Sequence, residues 1–176
     1  MRTAILMMAA GAALAGCQRD RVEVGEATPG AATAVATMRT ASGLDAGRAT
    51  ATEVGGGLRL TLDARALPAG THGAHVHLAG RCDAPTFETA GGHWNPTAMQ
   101  HGTQNPRGPH AGDLPNLIVG TDGRGTIAID VPGATIAGLL DADGASMMVH
   151  AAADDLRTDP SGNSGGRIAC GVFAAS

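Results

Sequence analysis

Two histidines separated by one residue are the first feature of the sequence that could do chemistry. His75 and His77 flank Val76 in a stretch rich in small residues. On a β-strand, successive side chains alternate between the two faces, so residues i and i+2 point the same way. Two imidazoles that converge on one face are a common start of a metal site, but a solvated or structural histidine pair has the same pattern. The pair alone leaves both interpretations open.

A second cluster combines three histidines and an aspartate within one segment rich in glycine and proline. Its pattern is His93-x7-His101-x8-His110-x2-Asp113. Three imidazoles and one carboxylate suit the tetrahedral coordination of Zn²⁺. A polar segment without its own core gains order from such a metal, because the binding energy offsets chain entropy. Histidines exposed by chance are the alternative. The sequence therefore predicts a zinc site here, and His150 is a further histidine near a second long loop.

Short β-rich runs separated by turn residues must position these side chains. Leu58, Leu60 and Leu62 alternate with polar residues, as in a half-buried strand. No segment has a sustained helical period of apolar residues. The predicted strands are Thr33–Thr40, Arg48–Val54, Leu58–Ala66, Gly73–Leu78, Asn116–Gly120, Gly125–Val131, Ser146–His150 and Arg167–Phe173. Their number predicts an all-β fold, an eight-stranded Greek-key β-barrel or sandwich.

Two long connections interrupt the strands, at Ala79–Leu114 and Ala151–Gly166. Loops longer than about 12–15 residues are uncommon in compact domains and are usually functional. The histidines lie in or beside these connections. We therefore expect two long functional loops to carry the chemistry.

Composition excludes several classes of protein. The 176 residues predict a single domain, with or without a tail. A net charge of −4 argues against a phosphate-neutralising surface, and an aromatic content of 2% argues against a stacking platform for single strands. The sequence therefore predicts no nucleic-acid partner. Alanine is the most frequent residue, which predicts a thin core.

The N-terminal segment is typical of an export signal. Arg2 precedes an apolar run at Ile5–Ala15, which is too short to span a membrane but suits a signal peptide. The run ends in Leu14-Ala15-Gly16-Cys17, which resembles the bacterial lipobox, where the cysteine becomes lipid-modified. An ordinary secretory signal that happens to contain a cysteine is the alternative.

The lipobox predicts a domain organisation and a location. Residues 1–16 would be a lipoprotein signal peptide, 17–32 a lipidated N-terminus and flexible tether, and 33–176 the folded domain. Lipidated Cys17 would anchor the chain to a membrane facing the bacterial periplasm, and Gln18 favours the outer membrane. The periplasm is oxidising, so the remaining cysteines, Cys82 and Cys170, can pair there.

Five motifs, in order along the chain, resemble copper/zinc superoxide dismutases, and in particular their bacterial periplasmic branch. They are Gly70-Thr71-His72-Gly73-Ala74-His75-Val76-His77, Gly92-His93-Trp94-Asn95-Pro96, His110-Ala111-Gly112-Asp113-Leu114-Pro115-Asn116, His150-Ala151-Ala152-Ala153-Asp154-Asp155-Leu156 and Gly162-Asn163-Ser164-Gly165-Gly166-Arg167-Ile168-Ala169-Cys170-Gly171-Val172. The resemblance extends from about residue 33 to the end of the chain. It implies copper and zinc cofactors and the conversion of superoxide to oxygen and hydrogen peroxide, which would protect the cell envelope.

The resemblance also implies a role for each site residue. Those matching the copper ligands are His75, His77, His93 and His150, and those matching the zinc ligands are His93, His101, His110 and Asp113. His93 would bridge both metals and take up a proton during catalysis. Asp154 matches the carboxylate that links His75 to His101, and His72 matches a structural histidine that binds no metal. Cys82 and Cys170 match the family disulfide. Arg167 matches the arginine that attracts the anionic substrate.

Some features depart from the family pattern. Ala74 replaces the usual aromatic residue, and Trp94 replaces the usual phenylalanine. The lysines that often steer superoxide are missing before Arg167, where only Arg157 could substitute for them.

Two other functions remain as alternatives: a module that stores or delivers copper or zinc, and a structural sandwich stapled by zinc. The family contains monomers and dimers, so a homodimer stays open.

Overall fold

The computed structural model of the protein describes residues 30–176. The predicted signal peptide, Cys17 and most of the predicted tether lie outside the described residues. Within the described part of the chain, no helix is long and apolar enough to cross a membrane.

The described residues form nine short strands and two single-turn helices. The strands are β1 (Thr33–Thr40), β2 (Asp45–Val54), β3 (Gly57–Ala64), β4 (Gly70–His72), β5 (Ala74–His77), β6 (Leu117–Val119), β7 (Gly125–Pro132), β8 (Ser146–His150) and β9 (Arg167–Ala175). A 3₁₀ turn spans Glu88–Ala90, and α1 spans Ile136–Leu139. The all-β prediction is confirmed. The extra strand is β4, because Gly70–His72 pairs with β6 just before the predicted fourth strand begins.

Seven strands form one curled antiparallel sheet in the order β5-β8-β9-β1-β2-β3-β7, and β4 and β6 form a separate pair. One neighbour of β9 is β8, which directly precedes it in the chain, and the other is β1, the first strand of the described residues. This order is the crossing pattern of a Greek key, in which a strand returns to lie beside the first one.

The core lies inside the curl and is built from small residues facing larger ones. The apolar side of β3, with Leu58, Leu60 and Leu62, is fully buried, as its alternating pattern predicts. Its register places Ala49 of β2 opposite Leu62 and Ala51 opposite Leu60. Because alanine fills half of these facing positions, the core is thin.

The two long connections have the predicted positions. The first runs from β5 to β6 and contains the 3₁₀ turn, and the second covers residues 151–166 between β8 and β9. The first pairs with the free edge of β5, where His75 bridges to Asp113 and His77 to His93. The second is joined to the start of β5 by a hydrogen bond from the Gly73 N–H to the Ala152 carbonyl.

Candidate metal centre

Strands β5 and β8 bring three histidines to the outer face of the sheet. Their register pairs His75 with Met148 and His77 with Ser146, and His150 ends β8 opposite Arg167 of β9. The alternate residues of β5, Ala74 and Val76, point into the buried core cluster. The His-x-His spacing therefore places both imidazoles on one face, as the strand period requires.

A backbone junction joins the first long loop to the edge strand β5, beside these histidines. The Trp94 N–H donates to the carbonyl of Val76, the Val76 N–H to that of Gly112, and the Gly112 N–H to that of Trp94, at 2.8, 2.9 and 2.9 Å. A Cβ on Gly112 would lie 2.3 Å from the Val76 carbonyl oxygen, so only glycine fits. The junction holds His93 and Asp113, each one residue away, against β5.

Four ring nitrogens converge on the outer face without a protein partner. Among residues 30–176, the buried nitrogens that lack a hydrogen bond are His75 Nδ1, His77 Nε2, His93 Nε2 and His150 Nε2. Ligand atoms of these four residues lie within 4.8 Å of one another. Leaving one buried polar atom unsatisfied costs about 1–3 kcal/mol, so four together indicate a site built for a bound cation.

The other ring nitrogen of each strand histidine is engaged, which fixes the ring. His75 Nε2 lies 2.7 Å from Asp154 Oδ2, His77 Nδ1 lies 2.9 Å from the Gly91 carbonyl oxygen, and His150 Nδ1 lies 3.2 Å from that of Gly165. An imidazole that donates from one nitrogen presents a lone pair at the other. These contacts therefore leave the unpartnered nitrogen of each ring, His75 Nδ1, His77 Nε2 and His150 Nε2, available to a metal.

Burial keeps the rings of His77 and His150 neutral. Burial, together with the charges of neighbouring histidines, lowers the pKa of His77 to about 2 and that of His150 to about 3. A metal ligand must be deprotonated, so neutral imidazoles are already in the form that copper or zinc requires at neutral pH.

The second cluster is centred on one oxygen of Asp113. Asp113 Oδ1 lies 2.9 Å from His93 Nδ1, 3.0 Å from His101 Nδ1 and 3.2 Å from His110 Nδ1. His93 Nδ1 and His110 Nδ1 are 3.4 Å apart. Bonds of about 2.0–2.1 Å to a tetrahedral Zn²⁺ correspond to ligand separations of about 3.3 Å. These four separations are close to those between the ligands of a tetrahedral zinc site.

His75 also has a ligand atom within 4.8 Å of the corresponding atoms of His93, His101 and Asp113. Its Nε2 is engaged by Asp154, and its Nδ1 belongs to the four unpartnered nitrogens of the other cluster. His110 Nδ1, by contrast, lies only 3.2 Å from Asp113 Oδ1. His110 is therefore the better fourth member of the second cluster.

His93 belongs to both clusters. Its Nδ1 faces Asp113, and its Nε2 is one of the unpartnered nitrogens beside β5 and β8. Burial lowers the pKa of His93 to about 4, although the hydrogen bond to Asp113 acts in the opposite direction. A neutral or anionic ring with a nitrogen in each cluster can bridge two metal ions.

Asp154 connects the two clusters from behind. One oxygen lies 2.7 Å from His75 Nε2 and the other 3.0 Å from His101 Nε2. Its backbone is held by reciprocal hydrogen bonds with the Asn116 side chain, both 2.8 Å. Gly162 has a φ of +62°, and a Cβ there would lie 1.8 Å from Asp154 Oδ1. Glycine is therefore required where the loop passes over this carboxylate.

The carboxylates control the charge of the second cluster. Burial by itself lowers the pKa of His101, but hydrogen bonds to Asp113 and Asp154 outweigh it and raise this pKa to about 9. Burial would raise the pKa of both aspartates, yet the same hydrogen bonds hold their pKa values well below the usual range. A metal ion that binds here would displace a proton from His101.

His72 lies beside the clusters and faces backbone only. Its Nδ1 is 2.8 Å from the His150 carbonyl oxygen, and its Nε2 is 2.9 Å from that of Pro68. With both ring nitrogens engaged, His72 has no atom to offer a metal. Its position agrees with the structural role that the resemblance implies.

Arg167 lies at the edge of the cluster of four unpartnered nitrogens, opposite His150. Its guanidinium donates to the carbonyl oxygens of Phe87 and Gly91, at 2.6 and 2.7 Å. The Gly91 carbonyl also accepts a hydrogen bond from His77 Nδ1, so this one oxygen positions the side chains of both Arg167 and His77. The segment that carries these carbonyls is bonded to β9 by the disulfide between Cys82 and Cys170, which the resemblance implies.

The structure also shows contacts and burial of several residues that the sequence does not predict. Arg157 donates its Nε to Gln104 Oε1 at 2.9 Å, so its side chain fastens the two loops together. Ala74 and Trp94, the two departures from the family pattern, are both buried in the main core cluster. Asn116 and Asp159 contact site residues. Their spacing gives no signal, because their partners are distant in sequence.

Comparisons with known proteins agree with this geometry. Residues 45–173 match the sequence model of a family described as copper/zinc superoxide dismutase (SODC). A curated relative, superoxide dismutase [Cu-Zn] of Caulobacter vibrioides, is 42% identical over 147 residues, covering 80% of this chain and 84% of the relative. The corresponding protein of Escherichia coli K12 is 37% identical over 142 residues, covering 74% and 80%.

Two crystal structures have the same fold. A SOD-like protein from Bacillus subtilis has a TM-score of 0.75 at 39% identity, covering 80% of this chain and 97% of that protein. Cu/Zn superoxide dismutase from Brucella abortus has a TM-score of 0.65 at 29% identity, covering 81% and 99%. The predicted Greek-key fold is confirmed by these likenesses.

Proposed function

The chain belongs to the copper/zinc superoxide dismutase family, and from that membership we propose which of its residues hold the two metals and how the chain is anchored. The protein is an oxidoreductase that converts superoxide to oxygen and hydrogen peroxide, with copper and zinc as cofactors. This agrees with the predicted function, and it sets aside the storage and structural alternatives.

The single observation that supports the ligand assignment is the pair of clusters joined at His93. We assign copper to the four unpartnered ring nitrogens, and zinc to Asp113 Oδ1 with the three histidine nitrogens that lie within 3.2 Å of it. The proposed copper ligands are His75 Nδ1, His77 Nε2, His93 Nε2 and His150 Nε2. The proposed zinc ligands are His93 Nδ1, His101 Nδ1, His110 Nδ1 and Asp113 Oδ1.

The chain's own residues bind the substrate and supply the proton site. Copper, when bound, supplies one-electron chemistry between Cu(II) and Cu(I), and zinc holds a fixed charge and geometry. Arg167, fixed by two carbonyls, presents a positive charge to the incoming anion. His93 Nδ1 is committed to the second cluster, so Nε2 is the atom of this ring that can take up and return a proton.

Replacement of Arg167 tests this function. The copper- and zinc-loaded protein should dismutate superoxide at a rate that falls with ionic strength, and Arg167→Gln should be about tenfold slower and less sensitive to salt. Superoxide dismutases are themselves an established case of electrostatic steering, and this magnitude is taken from the low end of such effects in general. Rates at increasing salt concentration measure both effects.

Two results would count against the proposal. Protein shown to contain one copper per chain but without dismutation would contradict the enzymatic function. An unchanged rate in Arg167→Gln would remove Arg167 from substrate attraction. Arg48→Gln is a matched control, because Arg48 lies on the exposed side of β2.

We further propose that the chain is a lipoprotein of the bacterial periplasm, with residues 1–16 as signal peptide, 17–32 as lipidated tether and 33–176 as the dismutase domain. The lipobox supports the anchor, and β1 begins at Thr33. The disulfide supports an oxidising compartment. The residue after the cysteine, Gln18, favours the outer membrane. A homodimer, which the resemblance leaves open, stays a prediction.

Lipidation can be tested at one cysteine. Cells that express the full chain should incorporate labelled palmitate into it, and Cys17→Ser should abolish the label because the thiol that carries diacylglycerol in a lipobox is removed. Acyl chains contribute about 0.8 kcal/mol per buried methylene, so the wild type should also sediment with membranes. Label that persists in Cys17→Ser would refute the anchor. Cys82→Ser, which leaves the lipobox intact, is the control.

A further inference from the structure

The two long loops are fastened to each other along a seam beside the proposed zinc site. The Gln104 N–H donates to the Leu156 carbonyl at 2.9 Å, and the Arg157 side chain donates to that of Gln104 at 2.9 Å. A third contact joins the His101 N–H to Asp159 Oδ1 at 2.7 Å. The first loop carries the proposed zinc ligands, and the second leads to Arg167.

Asp159 is the member of this seam that reaches two proposed zinc ligands with one oxygen. Its Oδ1 accepts from the His101 backbone and lies 3.9 Å from His110 Nε2. The longer distance exceeds a hydrogen bond and is within ion-pair range. His110 Nδ1 faces Asp113, so Nε2 is the outward nitrogen of that ring. The Asp159 carboxylate therefore stands behind His110, on the side away from the cluster.

We propose that Asp159 is a positioning residue for zinc, which orients His101 through its backbone and His110 through its outer ring nitrogen. The inference rests on the proposed ligand set. A carboxylate behind a ligating imidazole helps to orient the ring and makes the ligating nitrogen more basic, and at 3.9 Å Asp159 acts on the His110 ring through its charge rather than through a hydrogen bond. A hydrogen bond from a backbone N–H to an ionised carboxylate is among the stronger ones.

Asp159 and Asp154 act from opposite sides of the same site. Asp154 holds His101 Nε2 from the buried side and also contacts His75. Asp159 is half exposed and holds the His101 backbone from the outside. Both belong to the loop between β8 and β9, so zinc retention depends on that loop being closed over the first one.

The test compares zinc release from the zinc-loaded protein and its variants. Asp159→Ala should release zinc to a chromophoric chelator about tenfold faster, the low end of effects seen when such outer partners are lost. Asp159→Asn keeps an oxygen acceptor for the His101 N–H but removes the charge, and should release zinc about threefold faster. Co(II) bound in place of zinc should show a shifted visible spectrum in Asp159→Ala, which a purely structural role would not produce.

Gln104→Ala is the matched control, because it removes a seam contact and leaves Asp159 in place. It should release zinc within about twofold of the wild type. Equal release from Asp159→Ala and the wild type would overturn the role of Asp159, as would equal acceleration in Gln104→Ala. If Asp159→Ala does not fold, Asp159→Asn decides by the same criteria. A wild type that binds no zinc would overturn the ligand assignment itself, and this inference with it.

Discussion

Replacing His150 by alanine is expected to abolish superoxide dismutation while zinc stays bound. His150 Nε2 is one of the four unpartnered nitrogens of the proposed copper site, and its ring makes no contact with Asp113. The backbone contacts of residue 150, from its N–H to the Gly73 carbonyl and from its carbonyl to His72, survive the change. The fold should therefore persist while the copper site loses a ligand.

The reciprocal variant makes this prediction specific. His110→Ala removes a nitrogen from the cluster around Asp113 and none from the copper side, so it should lose zinc and retain copper. Metal analysis and activity measured on both variants separate the two sites. Substantial dismutation by His150→Ala, or loss of zinc from it, would contradict the copper assignment. Retention of zinc by His110→Ala would contradict the zinc assignment.

The strands could be predicted because their patterns are local. Leu58, Leu60 and Leu62 alternate with polar residues, and β3 forms there with the predicted side buried. The segment Gly70–His72 was not predicted as a strand, because three residues carry too short a pattern and their pairing with β6 depends on a partner far along the chain. The helix at Ile136–Leu139 is a single turn, too short for a helical period to appear.

The site could be predicted as two groups of residues but not as one connected network. Strand alternation places His75 and His77 on one face, and loop spacing groups His101 with Asp113. The contacts of Asp154 with His75 and His101 span 79 and 53 residues, and no sequence period reaches so far. Only the resemblance to the family predicts that Asp154 links these two histidines. Asp159 had no comparable signal, and Arg157 proved to fasten the loops, a role its position in the sequence does not indicate.

Because the core is thin, the disulfide should contribute a large share of the stability of the metal-free protein. Alanines such as Ala49 and Ala51 fill positions where longer side chains would bury more apolar surface. The bond between Cys82 and Cys170 closes a loop with a sequence separation of 88 residues. In the chain-entropy account, such a loop restricts the unfolded state by about 4–5 kcal/mol.

The double variant Cys82→Ser/Cys170→Ser should therefore lose about 3–5 kcal/mol in the free energy of unfolding, measured by denaturant titration of the metal-free protein. It should also be slower in dismutation, because the freed segment carries the Phe87 and Gly91 carbonyls that hold Arg167. Reducing the wild type should produce the same loss of stability, whereas a reductant should not affect the variant. A loss below about 1 kcal/mol would mean that the loops hold their shape without the bond. The carbonyls would then position Arg167 through packing alone, with Phe87 and Ala90 buried against Met148.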